Sequence, residues 1–208
     1  MSICKLSEAG VLVDVVPLSN KNDRSVHLVT IKKRKIQMSP MTCIFTDLPD
    51  TIRSHCIRTS VIAEFMARHT KNSEIENVIW LGSLYHHIYE NIVHENLPYE
   101  GYEQNVSELI LEIVSTCKER MDGSGYPNNL HGEGRHLAAR LAGLADMWDE
   151  IAMQPGNMME NIKDADEYMA KNGERLFGFD AMDCFHAVRD EIIKLYSERL
   201  CKEKYFAG

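Results

Sequence analysis

The chain has 208 residues, with 23 Lys+Arg against 31 Asp+Glu, a formal charge of −8, and nine His and six Cys. That length suits one compact domain with a small appendage, and the negative balance argues against binding duplex nucleic acid, which depends on basic side chains at phosphate. No apolar run approaches the ~20 residues that span a bilayer, Met1–Gly10 lacks the features of a signal peptide, and Cys4, Cys43, Cys56, Cys117, Cys184 and Cys201 include no Cys-x-x-Cys pair. We therefore expect a cytoplasmic protein without membrane contact, disulfides or a zinc ribbon.

Residues 1–47 hold seven basic and four acidic residues, a net +3, which leaves −11 for the remainder. The β-branched stretches Val11–Val16 and Ser25–Met38, separated by the turn-like Ser19–Asp23, predict a small strand-rich segment. Lys32-Lys33-Arg34-Lys35 reads as a solvated strand edge or as an anion or partner contact. Residues 48–208 then follow a helical period. Asp50 is placed to cap a first helix with Ile52, Cys56, Ile62, Phe65 and Met66 on its apolar side. A second helix is expected over Ser73–Glu90 and a third over Val106–Glu119. The loop Met121–Arg135 follows, rich in glycine. A fourth helix carries Leu137, Leu141, Leu144, Trp148 and Ile151, with Ala139, Gly143 and Asp146 as a stripe for close packing, and breaks at Gln154–Gly156. A fifth is expected over Ile162–Lys171, and a sixth from after Asp180 to about Leu200. The fold class is mainly α: a helical bundle preceded by a short strand-rich segment.

Two features carry chemistry. The loop Glu119-Arg120-Met121-Asp122-Gly123-Ser124-Gly125-Tyr126-Pro127 combines glycines, which permit positive φ and close backbone approach, with a rigid apolar Tyr-Pro plate. It reads either as an ordinary interhelical loop or as a cradle for a nucleotide base or phosphate. The other feature is His86-His87, expected inside a helix, where neighbouring side chains diverge by about 100° and cannot grip one metal without other segments. His55 and Asp146 fall on buried faces of their helices, and a buried carboxylate and imidazoles need partners. A metal or a His–Asp hydrogen bond would serve.

His55 to about Ile151 resembles an HD-GYP domain, a branch of the HD phosphohydrolase superfamily. The resemblance rests on the Glu119–Pro127 loop and on Ala139-Arg140-Leu141 through Ala145-Asp146. It implies an HD-type helical bundle and a relationship to two- or three-metal cyclic di-GMP phosphodiesterases. His55, His86 and Asp146 match metal ligands of that family. Other positions depart from it. Thr51 replaces a Glu, His87 replaces the bridging Asp, Glu90 replaces a phosphate-contacting Lys, and Cys117-Lys118 replace two His. His94 has no clear counterpart.

On this resemblance the expected metal set is His55, His86, His87 and Asp146, holding one transition metal (iron, manganese or zinc) or none. Lys118, Arg120, Gly125, Tyr126 and Pro127 are the expected substrate contacts. No residue is assigned a catalytic role. An ammonium at Lys118 would also stand where a cation stood, and Cys117, on the Ile110–Ile113 face, reads as core.

The expected function is a degenerate HD-GYP-like module of bacterial cyclic-dinucleotide signalling, binding or regulating without phosphodiesterase activity. The alternatives are an active phosphohydrolase with a reduced metal site and a structural partner-binding protein. Expected partners are a cyclic dinucleotide, a signalling protein at the Gly-Tyr-Pro loop, and a second copy of the chain in a homodimer.

Overall fold

The computed structural model describes residues 3–6, 12–15, 48–88, 108–132 and 134–200. The chain divides into two units, Met1–Leu48 and Pro49–Gly208. In the first, β1 (Ile3–Leu6) pairs antiparallel with β2 (Leu12–Val15), with Ile3 opposite Val15 and Leu6 opposite Leu12. The strand expected over Val11–Val16 is β2. Its partner β1 was not anticipated, because four residues at the start of a chain carry little period-2 signal. The strand expected over Ser25–Met38, with its basic run, lies outside the described residues, as does His94.

The second unit is mainly helical. Its elements are α1 (Asp50–Ala67), α2 (Ser73–Leu84), α3 (Glu108–Thr116), α4 (Leu137–Ala152), α5 (Met158–Phe177) and α6 (Phe179–Leu200). Helix α4 is the hub and packs against all five of the others. Its Leu141, Leu144 and Trp148 are fully buried, in one core with Ile62 and Met66 of α1, Ile79 of α2, Ile113 of α3, Met169 of α5 and Phe185 of α6. Burying each such side chain contributes about 1.5–3 kcal/mol. The small-residue stripe of α4 does what its pattern predicts: a Cβ at Gly143 would lie 2.2 Å from the Cys117 carbonyl oxygen. The end of α3 can therefore sit directly on the α4 backbone. Cys117 is itself core.

Helix ends explain most differences from the predicted boundaries. Asp50 is the first residue of α1 rather than its cap, a position held by Pro49, and it pairs with Arg53. A carboxylate in the first turn still suits the positive end of the helix. Asn72 caps α2 by accepting from the Glu74 and Ile75 amides at 3.0 and 3.4 Å. Helix α5 starts earlier than expected because Asn157 caps it, accepting from the Met159 amide at 3.0 Å. It also runs further, to Phe177, and ends at Gly178 with φ +91°. Gly173 does not break it. A Cβ there would meet Met182 Sδ at 2.2 Å, so this glycine lets α5 and α6 approach closely.

Candidate metal centre

Four elements converge on one point. His55 comes from the middle of α1 and Asp146 from the buried face of α4. His86 and His87 follow the end of α2, and Lys118 follows the end of α3. His86 and His87 are not inside a helix. Helix α2 stops at Leu84, Tyr85 takes φ −101° and ψ 7°, and a turn closed by the Ile88 amide on the Tyr85 carbonyl (2.9 Å) carries the pair. On this turn the two rings lie with centroids 4.4 Å apart. Both lie 5.1 Å from the His55 ring. His55, His86, His87 and Asp146 each present one ligand atom, all within 4.8 Å of one another.

Hydrogen bonds fix which nitrogens face inward. His86 is buried, and its Nδ1 lies 2.5 Å from the Ser83 carbonyl oxygen, which can only accept. Nδ1 therefore carries the proton, and Nε2 points inward with its lone pair. His55 Nδ1 likewise donates to Asp149 Oδ2 at 2.6 Å. Inside, His55 Nε2 and His86 Nε2 are 3.2 Å apart, and each is 3.1 Å from Asp146 Oδ1.

Three donor atoms thus form a triangle with edges close to the ~2.9–3.4 Å separating neighbouring ligands on a transition metal with bonds of about 2.0–2.1 Å. Neutral imidazoles in these tautomers would set two lone pairs against a carboxylate oxygen, an arrangement that calls for a cation. The residues fit a metal. Without one, a proton serves. Burial pulls His55 down, but the hydrogen bonds to Asp146 and Asp149 outweigh it and raise its pKa from 6.5 to about 9. For the fully buried His86 the cost of burial prevails and its pKa is lowered. Burial would raise Asp146, yet His55, His86 and Lys118 together hold it well below the ordinary carboxylate value.

Lys118 joins the cluster directly. Its Nζ lies 2.9 Å from the Asp146 carboxylate and 2.9 Å from Glu150 Oε1. Burial disfavours the ammonium, but the two carboxylates overcome this and raise its pKa, so it stays charged. Cys56, beside the site on α1, is a buried thiol whose pKa burial pushes up to about 12, which leaves it protonated.

A supporting layer escaped the sequence reading. Asp149, one turn beyond Asp146, is fully buried. Besides His55 it accepts from Arg58 Nε at 2.7 Å, Arg58 Nη2 at 3.0 Å and the Tyr196 hydroxyl of α6. This carboxylate sets the His55 tautomer and ring orientation, as outer partners of ligand histidines commonly do. The i,i+3 pair Asp146/Asp149 on the buried face of a largely apolar helix was the available signal. Arg58 and Tyr196 have no sequence signature, because only the packing of α6 on α1 brings them there.

The loop is built from its own backbone. Glu119 is fully buried and accepts from the Asn128 amide at 2.6 Å and the Leu130 amide at 2.9 Å. Gly125 is buried too, and a Cβ there would lie 2.3 Å from the Arg120 amide nitrogen. Its close approach is to the chain itself. Arg120 is buried, donates from Nη1 to the Cys117 and Glu119 carbonyls at 2.9 Å each, and stacks on Phe177. Of the five expected substrate contacts, Arg120 and Gly125 serve the fold and Lys118 joins the metal cluster. Tyr126, 51% exposed, and the exposed Pro127, joined to it by a cis peptide bond, stand at the loop tip.

Comparison with known proteins agrees with this geometry. A family profile described as HD domain matches residues 83–180. A 3'3'-cGAMP-specific phosphodiesterase 2 of Vibrio cholerae serotype O1 is 35% identical over 49 residues, which cover 24% of this chain and 9% of that protein. Residues 83–180 are thus similar to an HD domain, a likeness that accords with the helical fold and with the converging His and Asp side chains.

Proposed function

We propose that this chain is a cyclic-dinucleotide-responsive HD-GYP-like module of bacterial cytoplasmic signalling. In this reading it binds one transition metal (iron, manganese or zinc) and works by binding and regulation rather than by phosphodiester hydrolysis. The observation that supports it best is the triangle of His55 Nε2, His86 Nε2 and Asp146 Oδ1, with edges of 3.1–3.2 Å and His87 beside it. A metal held there would polarise a phosphoryl oxygen and acidify a bound water. The chain's own residues do the rest. Asp149 orients His55, Ser83 orients His86, and Lys118 places a positive charge beside the phosphate position. Tyr126 and Pro127 offer an exposed apolar plate to a base or to a protein partner.

Among the described residues, Asp146 is the sole carboxylate of the four-residue metal cluster. His87, neutral as a ligand, cannot bridge two cations as a carboxylate does, which disfavours a two-metal hydrolytic centre. Calorimetric titration of the manganese-loaded protein with 3'3'-cGAMP and cyclic di-GMP, with chromatography of the mixtures after incubation, tests the reading. We expect saturable binding with the nucleotide recovered intact. Absence of binding refutes the module, and multiple turnover refutes its non-hydrolytic character. Multiple turnover would instead favour the alternative, an active phosphohydrolase with a reduced metal site.

A further inference from the structure

We infer that Lys118 is a tethered second cation that limits this site to a single metal ion. The inference rests on the metal-binding reading above. Asp146 divides its charge between two neighbours. Oδ1 faces the imidazole nitrogens of His55 and His86 at 3.1 Å each, and the Lys118 ammonium lies 2.9 Å from both Oδ1, to which it donates, and Oδ2. The same ammonium is 2.9 Å from Glu150 Oε1. Two carboxylates thus surround Nζ, one of them shared with the three-donor triangle. This is how a bridging carboxylate would hold a second cation, with nitrogen where a metal would stand.

Lys118 is not a wandering surface side chain. Its backbone is gripped on both sides: the preceding carbonyl, of Cys117, lies where a Gly143 Cβ would be, and its own carbonyl accepts from the Tyr126 amide at 3.3 Å. Its side chain is 10% exposed, set between the fully buried Asp146 and the half-exposed Glu150. It therefore stands on the solvent side of Asp146, where an incoming phosphate would meet it. An ammonium there neutralises Asp146 and offers N–H donors to an anion. It cannot be removed by a chelator, and it cannot activate water as a metal does. Charge repulsion and occupied volume both exclude a second metal.

The test is titration with Mn(II) alone, by calorimetry and elemental analysis, of wild type, K118R, K118M and K118H, each first checked for a cooperative melt. We expect one equivalent in wild type and K118R. K118M should take one equivalent bound at least about tenfold more tightly, since a like charge beside the metal is gone. K118H should take two, because the new imidazole joins Asp146 Oδ2 and Glu150. Two equivalents in wild type overturn the inference, as does one equivalent of unchanged affinity in both K118M and K118H. No metal in any protein refutes the metal reading itself. No metal in wild type but one in K118M puts the ammonium in the metal position and overturns both. Should K118M and K118H fail to fold, the wild-type and K118R stoichiometries decide: one equivalent in each supports the inference and two overturn it.

Discussion

Replacing Asp149 by Asn tests whether the supporting carboxylate matters as much as the ligands. The change keeps the shape and removes one charge. Every group facing Asp149 is a donor: His55 Nδ1, the Arg58 guanidinium and the Tyr196 hydroxyl. The Asn amino group must therefore oppose a donor, and Arg58, only 20% exposed, loses the charge of Asp149. Breaking a buried charged pair from one side costs about 3–5 kcal/mol. At about 2–4 °C per kcal/mol for a domain of this size, D149N should melt roughly 6–20 °C below wild type. The loss also frees His55 to take the other tautomer, and losing such a partner weakens metal binding about 10–100-fold. Differential scanning calorimetry of the chelator-treated protein and Mn(II) titration read the two effects separately. A melting temperature within about 2 °C of wild type, or a metal affinity within about threefold, would refute this account of Asp149.

Other expectations follow from the same contacts. His86→Ala should abolish metal uptake, by elemental analysis, and lower stability by a few kcal/mol, about what an orphaned buried polar group costs. Gly125→Ala should cost about 1–3 kcal/mol in urea unfolding, because its Cβ would strike the Glu119–Arg120 backbone. Tyr126→Ala should leave stability within about 0.5 kcal/mol, as for an exposed side chain, while weakening nucleotide or partner binding. A large drop in melting temperature with binding intact would contradict that role. Asp180, bonded to Arg140 with Nη2 to Oδ2 at 2.6 Å, has its pKa lowered below 3.8: burial opposes this, and the Arg140 hydrogen bonds and charge prevail. Its contribution is thus present above pH 3.8 and lost as pH falls through the lowered value. Acid titration of D180N should show a shallower loss of stability below pH 4 than wild type.

Much of the fold was legible because apolar residues at helical spacing mark α1, α3 and α4 directly, and because Gly143 in a small-residue stripe announces close packing. That His55, His86, His87 and Asp146 would come together was expected from the family resemblance, and the fold does group them. What escaped has physical reasons. The helix was extended through His86-His87 because nothing in Leu84–Ile88 is a strong breaker, and it is the Tyr85 turn that lets the two rings share a site. Arg58 and Tyr196 read as ordinary helix residues. Their pairing with Asp149 is non-local, 91 and 47 residues away. Arg120, expected as a substrate contact on the resemblance, donates to two buried carbonyls and stacks on Phe177, contacts that no local pattern announces.

The most direct test of the central claim is anomalous diffraction from crystals grown with Mn(II). The account predicts one anomalous peak within bonding distance of His55 Nε2, His86 Nε2 and Asp146 Oδ1, with Lys118 still paired to Asp146. The absence of a peak at that cluster, or a second peak at the Lys118 position, would contradict it.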